Sequence, residues 1–172
     1  MKGIILAAGL GTRLKPITNT IPKCMIEIAD KPVIEWQLEY LSKFGINQVV
    51  VNLHYLPSKF MEYLGTRVFF LYEPELLGEM GTINKLKDWI DQPTVVLNGD
   101  TLTDLNIYEL SCYTNVNLVR SMNGEIYTGQ MVIRPSYFEK PRITEVQTHC
   151  YWQDIGTPEG LKKARDYYQN IR

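Results

Sequence analysis

The sequence predicts an α/β protein, a three-layer sandwich whose helices cover both faces of a mixed, mainly parallel sheet. Three observations predict it. Short β-branched runs alternate with longer amphipathic segments along the first hundred residues, the alternation that builds strand–helix–strand units. The first apolar run leads straight into a glycine-rich loop, LAAGLGTRLKPITNTIPKCM, at Leu6–Met25. The chain has 172 residues, of which 22% are charged and 45% hydrophobic, which suits one domain spanning residues 1–172 with an ordinary core. No repeat, low-complexity tract or linker interrupts it.

KGIILA (2–7) reads as a buried strand, as do NQVVVNL (47–53), RVFFLY (67–72) and TVVLNG (94–99), because continuous apolar runs suit strands covered on both faces. Helices are expected between them. From Pro32 to Phe44 the residues Val33, Ile34, Trp36, Leu38, Leu41 and Phe44 share one broad side, with Pro32 at an N-terminal position and Gly45 as a stop. Pro57–Leu64 repeats that punctuation, with Gly65 behind it. Met80–Trp89 is a third helix, and Ile107–Tyr113 a short fourth behind an Asn106 cap. VNLVRS (116–121) and EIYTGQMVIR (125–134) read as two strands around a turn at Asn123-Gly124. A last helix runs from Thr157 or Pro158 to about Asn170.

Composition narrows the function classes. The net charge of −1 provides no bulk field for nucleic acid or an anionic membrane, so any anion site must be local. Arg13, Lys15 and Lys23 supply one in the first loop. Cys24, Cys112 and Cys150 are odd in number and far apart, and His54 and His149 are isolated. That pattern argues against both a disulfide framework and a Cys/His metal site. The opening MKGIILAAG is too short for a signal h-region, and no stretch reaches membrane-span length. A cytoplasmic protein is expected.

The first loop invites a phosphate reading. Gly9 and Gly11 let backbone N–H groups turn toward one point, and a loop after strand one lies at the carboxyl edge of the sheet, where ligands bind. For a bare Gly-x-Gly, a tight turn needing glycine for its dihedrals is the more usual explanation. Two familiar motifs fail. The dinucleotide fingerprint needs a third glycine where Leu14 stands, and Gly-Lys-Ser/Thr occurs nowhere. Any grip on phosphate therefore depends on Arg13, a bidentate fork, and Lys23, a mobile point charge, in a segment stiffened by Pro16 and Pro22. In LNGDTLTD (97–104), Asp100 follows an apolar strand, where its carboxylate is either a hard ligand for Mg²⁺ or the hinge of a turn.

The run LAAGLGTRLKPITNTIPKCM resembles the signature of the sugar-1-phosphate nucleotidyltransferases, with Gly-x-Gly-[Ser/Thr]-Arg, a Pro-x-Thr step and a Pro-Lys pair at this spacing. The resemblance implies a Rossmann-like fold and a loop wrapped on a nucleoside triphosphate. It places Leu6, Ala7, Ala8, Gly9, Gly11, Thr12 and Arg13 on the nucleotide and Lys23 beside the acceptor phosphate. It makes Arg13, Lys23 and Asp100 catalytic. W-x-D-I-G-T-P-E (152–159) resembles the late motif whose aspartate, here Asp154, completes the metal site with Asp100, although Gly156, Thr157 and Pro158 also read as a helix start. ELLGEMGTINKL (75–86) is similar to the segment near the base, implying Gly81 at a helix start with Thr82 at the base edge. YTGQMV (127–132) resembles the sugar-facing strand, with Gly129 leaving room for a pyranose ring. VNLHYL (51–56) resembles the subset acting on mannose, heptose or amino-sugar phosphates.

The implied partners are a nucleoside triphosphate and a sugar-1-phosphate, with Mg²⁺ as cofactor and no nucleic acid or membrane. The rival readings are a phosphocholine-type cytidylyltransferase and a non-catalytic nucleotide-sugar sensor. The stretch between Asp104 and Asp154 is short for the family, and Tyr137-Phe138-Glu139-Lys140-Pro141 stands in the wrong order for its lysine segment. The acceptor pocket is thus abbreviated, open, or completed by a second copy in a homo-oligomer.

Overall fold

The computed structural model describes residues 1–111, 116–120, 127–141, 143–147 and 150–170. Its centre is a seven-stranded sheet. The strands are β1 (Lys2–Leu6), β4 (Val49–Leu53), β5 (Phe69–Tyr72), β6 (Thr94–Asn98), β8 (Val116–Arg120), β9 (Tyr127–Ile133) and β10 (Ile143–Gln147), in the order β10-β8-β9-β6-β1-β4-β5. β6, β1, β4 and β5 run parallel; β9 lies antiparallel to both β6 and β8, and β10 is parallel to β8. The mixed, mainly parallel sheet expected from the alternation is what the chain forms.

Alternation along the strands sorts side chains onto two faces. Ile5, Val49, Val51, Val95, Leu97 and Val132 pack on one side. They meet α1 (Val33–Lys43), α2 (Pro57–Leu64) and α4 (Ile107–Ser111) through Ile34, Leu41, Phe60, Leu64 and Ile107. Ile4, Val50, Val96, Met131 and Ile133 face the other way onto Ile83, Leu86 and Ile90, in and just beyond α3 (Gly78–Lys85). A third cluster joins Leu14, Ile26, Ile28, Leu102 and Ile155 to Leu161, Ala164 and Tyr168 of α5 (Pro158–Asn170).

Pro57 and Pro158 open helices at the predicted positions, and Gly45, at φ +72°, stands just beyond the Phe44 cap of α1. The third helix differs from expectation. It starts at Gly78 rather than Met80 and ends at Lys85, because beyond it Lys87 and Trp89 bond back three residues, to Asn84 and Leu86, tightening the chain out of the α-helix. The predicted hairpin is present as β8 and β9, while its Asn123-Gly124 turn lies outside the described residues. So do Cys112 and His149, and of the fourth helix residues beyond Ser111.

Two short ladders escape the sequence reading. One pairs β2 (Glu27–Ile28) with β3 (Lys31–Pro32), and the other pairs β7 (Thr101–Thr103) with β11 (Trp152–Asp154), antiparallel. The second ladder, not the main sheet, carries Asp154. In its register Asp154 lies opposite Thr101, Gln153 opposite Leu102 and Trp152 opposite Thr103.

Candidate active site

At the carboxyl end of β1 the chain enters the first loop. Gly11 adopts a left-handed φ of +64°, and a Cβ there would stand 2.8 Å from Thr18 Cγ2, so both backbone and space demand glycine. The Thr18 hydroxyl donates to the Gly11 carbonyl at 2.8 Å and closes the loop on itself. Gly9 lies beside Lys23: a Cβ there would stand 3.6 Å from Lys23 Nζ, an ordinary contact, so space alone does not demand glycine at that position.

Asp100 occupies the turn between β6 and β7. The Gly99 N–H donates to the Leu6 carbonyl at 2.8 Å, and the Ile155 N–H to the Asp100 carbonyl at 2.9 Å, which binds the turn to β1 on one side and to the end of β11 on the other. A Cβ at Gly99 would lie 2.6 Å from both Leu6 O and Cys24 Sγ, so the first loop packs directly against the turn. Below it, Gln37 of α1 donates Nε2 toward Asn98 O at 2.7 Å and Thr101 O at 2.8 Å. The turn that carries the Asp100 carboxylate is thereby held from three directions.

Gly156 marks where the predicted residues meet. A Cβ there would stand 2.8 Å from Arg13 Nη2, 2.8 Å from Asp154 Oδ1 and 3.0 Å from Asp100 Oδ2. Residues far apart in sequence thus converge on one point. Lys23 Nζ donates to Asp100 Oδ2 in an ion pair whose side chains are 17% and 13% exposed. Burial alone would lower the Lys23 pKa, but the carboxylates, Asp100 foremost, outweigh it and raise the value above the ordinary 10.5. Lys23 is held as an ammonium. Next to it, burial pushes the Cys24 thiol from 9.0 up to about 12, so that thiol is no nucleophile. Cys24 and Cys150 are both free.

Two carboxylates and no nitrogen or sulfur ligand form an oxygen-only donor set, and among the described residues no group of three or more His, Cys, Asp or Glu gathers as a metal cage. A hard cation that takes one or two carboxylates and keeps its remaining positions for water and phosphate oxygens fits that set.

Beside this cluster opens a cleft of about 330 Å³ lined by Leu6, Ala8, Gly9, Lys23, Gly78, Glu79, Thr82 and Asp100, together with Asn52, Glu73, Leu76 and Asn98. Glu73, Asn52 and Gly78 were not singled out from the sequence. Glu73 is 1% exposed; its Oε1 accepts from Asn52 Nδ2 at 2.9 Å and Thr82 Oγ1 at 2.5 Å, while Oε2 takes a 3.3 Å contact from the Leu77 N–H. A glutamate just past a strand end, in YEPE, was the available signal.

Three expected positions need correcting. Gly81 lies inside α3, where a Cβ would press on Leu77 Cβ at 2.9 Å; the glycine at the helix start is Gly78, with φ +69°. The Thr82 hydroxyl points into the Glu73–Asn52 network and is fully buried, because the buried carboxylate needs its proton. Gly129, at φ +75°, makes room for protein: a Cβ there would lie 2.9 Å from Asn98 Cβ, Asn98 Nδ2 and Thr101 Oγ1, so the space is filled by the strand ends flanking Asp100. Thr12 and Arg13 are exposed on the loop, whereas Ala7 and Ala8 are buried.

The model of the nucleotidyl transferase family matches residues 2–114, and the chain belongs to that family. It is 41% identical over 115 residues to D-glycero-alpha-D-manno-heptose 1-phosphate guanylyltransferase of Campylobacter jejuni, covering 64% of this chain and 52% of that protein. It is 35% identical over 127 residues to mannose-1-phosphate guanyltransferase of Yarrowia lipolytica, covering 68% of this chain and 35% of that one. The alignments thus span about half or less of those curated relatives. The crystal structure of HddC from Yersinia pseudotuberculosis superposes with a TM-score of 0.80 at 25% identity, over 97% of this chain and 99% of that one. Among the described residues no helix is long and apolar enough to cross a membrane.

Proposed function

We propose that this chain is a sugar-1-phosphate nucleotidyltransferase that joins a nucleoside triphosphate to a sugar-1-phosphate and releases pyrophosphate. The observation that carries the reading is the meeting of Arg13, Asp100 and Asp154 around Gly156, with Lys23 on Asp100. In the reaction, an oxygen of the acceptor phosphate attacks the α-phosphorus, the bond to the β-phosphate oxygen breaks, and pyrophosphate carries away the charge. No protein nucleophile is required. Phosphoryl chemistry of this kind depends on positioning and charge neutralisation.

Each residue has a task in that scheme. The Arg13 fork holds oxygens of the leaving pyrophosphate. Lys23, kept cationic, offsets the repulsion between the two anions near the α-phosphate. Loop N–H groups around Gly9 and Gly11 face the polyphosphate. Asp100 and Asp154 would hold Mg²⁺, which supplies further charge neutralisation on the phosphates.

Guanine is the preferred base in this reading. Glu73 lines the cleft with an oxygen that carries one long contact, and a carboxylate accepts from guanine's adjacent N1–H and N2–H donors. The names of the Campylobacter and Yarrowia relatives agree with that choice. A cytoplasmic setting and a mannose- or heptose-type acceptor complete the proposal.

The deciding experiment is a matrix of four ribonucleoside triphosphates against sugar-1-phosphates and phosphocholine with Mg²⁺, read by pyrophosphate release. Turnover with GTP and a hexose- or heptose-1-phosphate is expected, and Asp100→Asn and Asp154→Asn should each reduce it at least a hundredfold. Turnover with phosphocholine alone selects the cytidylyltransferase, and nucleotide binding without any pyrophosphate selects the sensor.

A further inference from the structure

The segment Asn52-Leu53-His54-Tyr55 reaches the candidate site without carrying any of its chemistry. At the carboxyl end of β4, Asn52 is 3% exposed and turned to the α3 side. Its Oδ1 accepts the Ala7 N–H at 2.6 Å, at the point where β1 becomes the first loop. Its Nδ2 donates to Glu73 Oε1 at 2.9 Å and Thr82 Oγ1 at 3.1 Å. His54 Nδ1 lies 2.8 Å from the Glu73 carbonyl. The Tyr55 hydroxyl lies 2.9 Å from Thr18 O and 3.2 Å from Asn19 O, on the returning limb of the same loop. Directly afterwards Leu56 adopts a left-handed φ of +49°, an uncommon conformation for a β-carbon residue, and the chain swings away into α2.

One strand end thus grips the entry of the first loop through Asn52, its exit through Tyr55, and the opposite wall of the cleft through Asn52 and His54. We propose that Asn52 and Tyr55 are positioning residues that hold the first loop in its nucleotide-binding shape before any nucleotide arrives, and so set nucleotide affinity. The proposal rests on the nucleotidyltransferase reading. Its physical basis is preorganisation. A loop closed by its own Thr18–Gly11 bond still has two limbs to order, and fixing both in the free protein removes that entropy from the binding step. The two side chains touch no substrate atom in this scheme. They act through the backbone of Ala7 and of Thr18-Asn19. The left-handed Leu56 is strain that the fold tolerates at a place where an aromatic hydroxyl must be aimed back across the sheet edge.

The test is calorimetric titration of the full chain with GTP and, separately, UTP in the presence of MgCl₂, alongside steady-state pyrophosphate release. Tyr55→Phe removes one partly exposed hydroxyl and keeps the ring, so it should fold with an unchanged melting temperature. The expected result is a fivefold to tenfold weaker nucleotide Kd, the loss of about one hydrogen bond, with the same rise in nucleotide KM and kcat within twofold. Asn52→Ala should weaken binding more; because Asn52 is buried and braces several elements, Thr18→Val, which cuts the loop's own bond, serves as the second variant and should reproduce the KM effect. A Tyr55→Phe protein that melts lower but binds nucleotide as tightly as the wild type overturns the proposal, since its hydroxyl is then a structural contact only. If the wild-type protein binds neither nucleotide, the nucleotidyltransferase reading itself fails and this inference falls with it; wild-type binding with unaltered mutants condemns the inference alone.

Discussion

Gly156 has no Cβ because three charged atoms already surround the place where one would go. An added methyl would meet Arg13 Nη2 and both aspartates at 2.8–3.0 Å, closer than carbon tolerates, and it would have to displace them. Gly156→Ala is therefore expected to leave the chain folded and to cost about a hundredfold in pyrophosphate release, the scale of a roughly 1 Å misplacement in a preorganised site. Circular dichroism and turnover measured on the same preparation check it; full activity would mean that the three side chains need not converge. Single residues were also where the sequence was most legible. Arg13 and Lys23 stand out as cations clustered in a glycine loop, whereas Asp100 and Asp154 were picked out by the resemblance of their segments to family motifs. Glu73 and Asn52 did not, because a polar residue reads the same from sequence whether it is solvated or buried in a network.

At the scale of elements, the third hydrophobic cluster holds the site together. Leu14 follows Arg13, Leu102 comes two residues after Asp100, Ile155 follows Asp154, and all three belong to one hydrophobic cluster with Leu161 and Ala164 of α5. The last helix thus shares one core with the segments that carry Arg13, Asp100 and Asp154. Truncating Leu161, 4% exposed, to alanine is expected to cost about 3 kcal/mol in urea unfolding and to depress turnover beyond what the remaining folded fraction explains. Helices and long strands were legible from period and punctuation, down to Pro57 and Pro158. β7 and β11 were not, because a three-residue strand has too few alternations to show a period and its partner lies some fifty positions away. Asp100 follows main-sheet strand β6, as its apolar run suggested, whereas Asp154 is brought to it by the short β7–β11 ladder.

Over the whole molecule, alkaline pH should reveal how the buried charges are arranged. Burial holds the Cys24 thiol at about 12 against its ordinary 9.0, so above pH 9 the unfolded chain gives up a proton that the folded chain retains. The stabilising effect is complete below pH 9 and declines as pH climbs toward 12. Lys23 has the same sign: its pKa is raised, so its pairing with Asp100 is complete below 10.5 and weakens above that value. Melting temperature is expected to fall steadily from pH 9 to 11, and Cys24→Ala should flatten the first part of that slope; an unchanged slope would show that the thiol is not shielded. The three-layer fold was legible from strand–helix alternation alone, whereas the wrapping of the last helix under the first loop was not, since nothing local in either segment names the other.

The β7–β11 ladder fixes when the chemistry can exist. Trp152, Gln153 and Asp154 find their register only against Thr101–Thr103, so a nascent chain on the ribosome that has already emerged through residue 104 has its glycine loop and first acid but no second one. The polypeptide must be translated past Asp154 before the two acids can face each other.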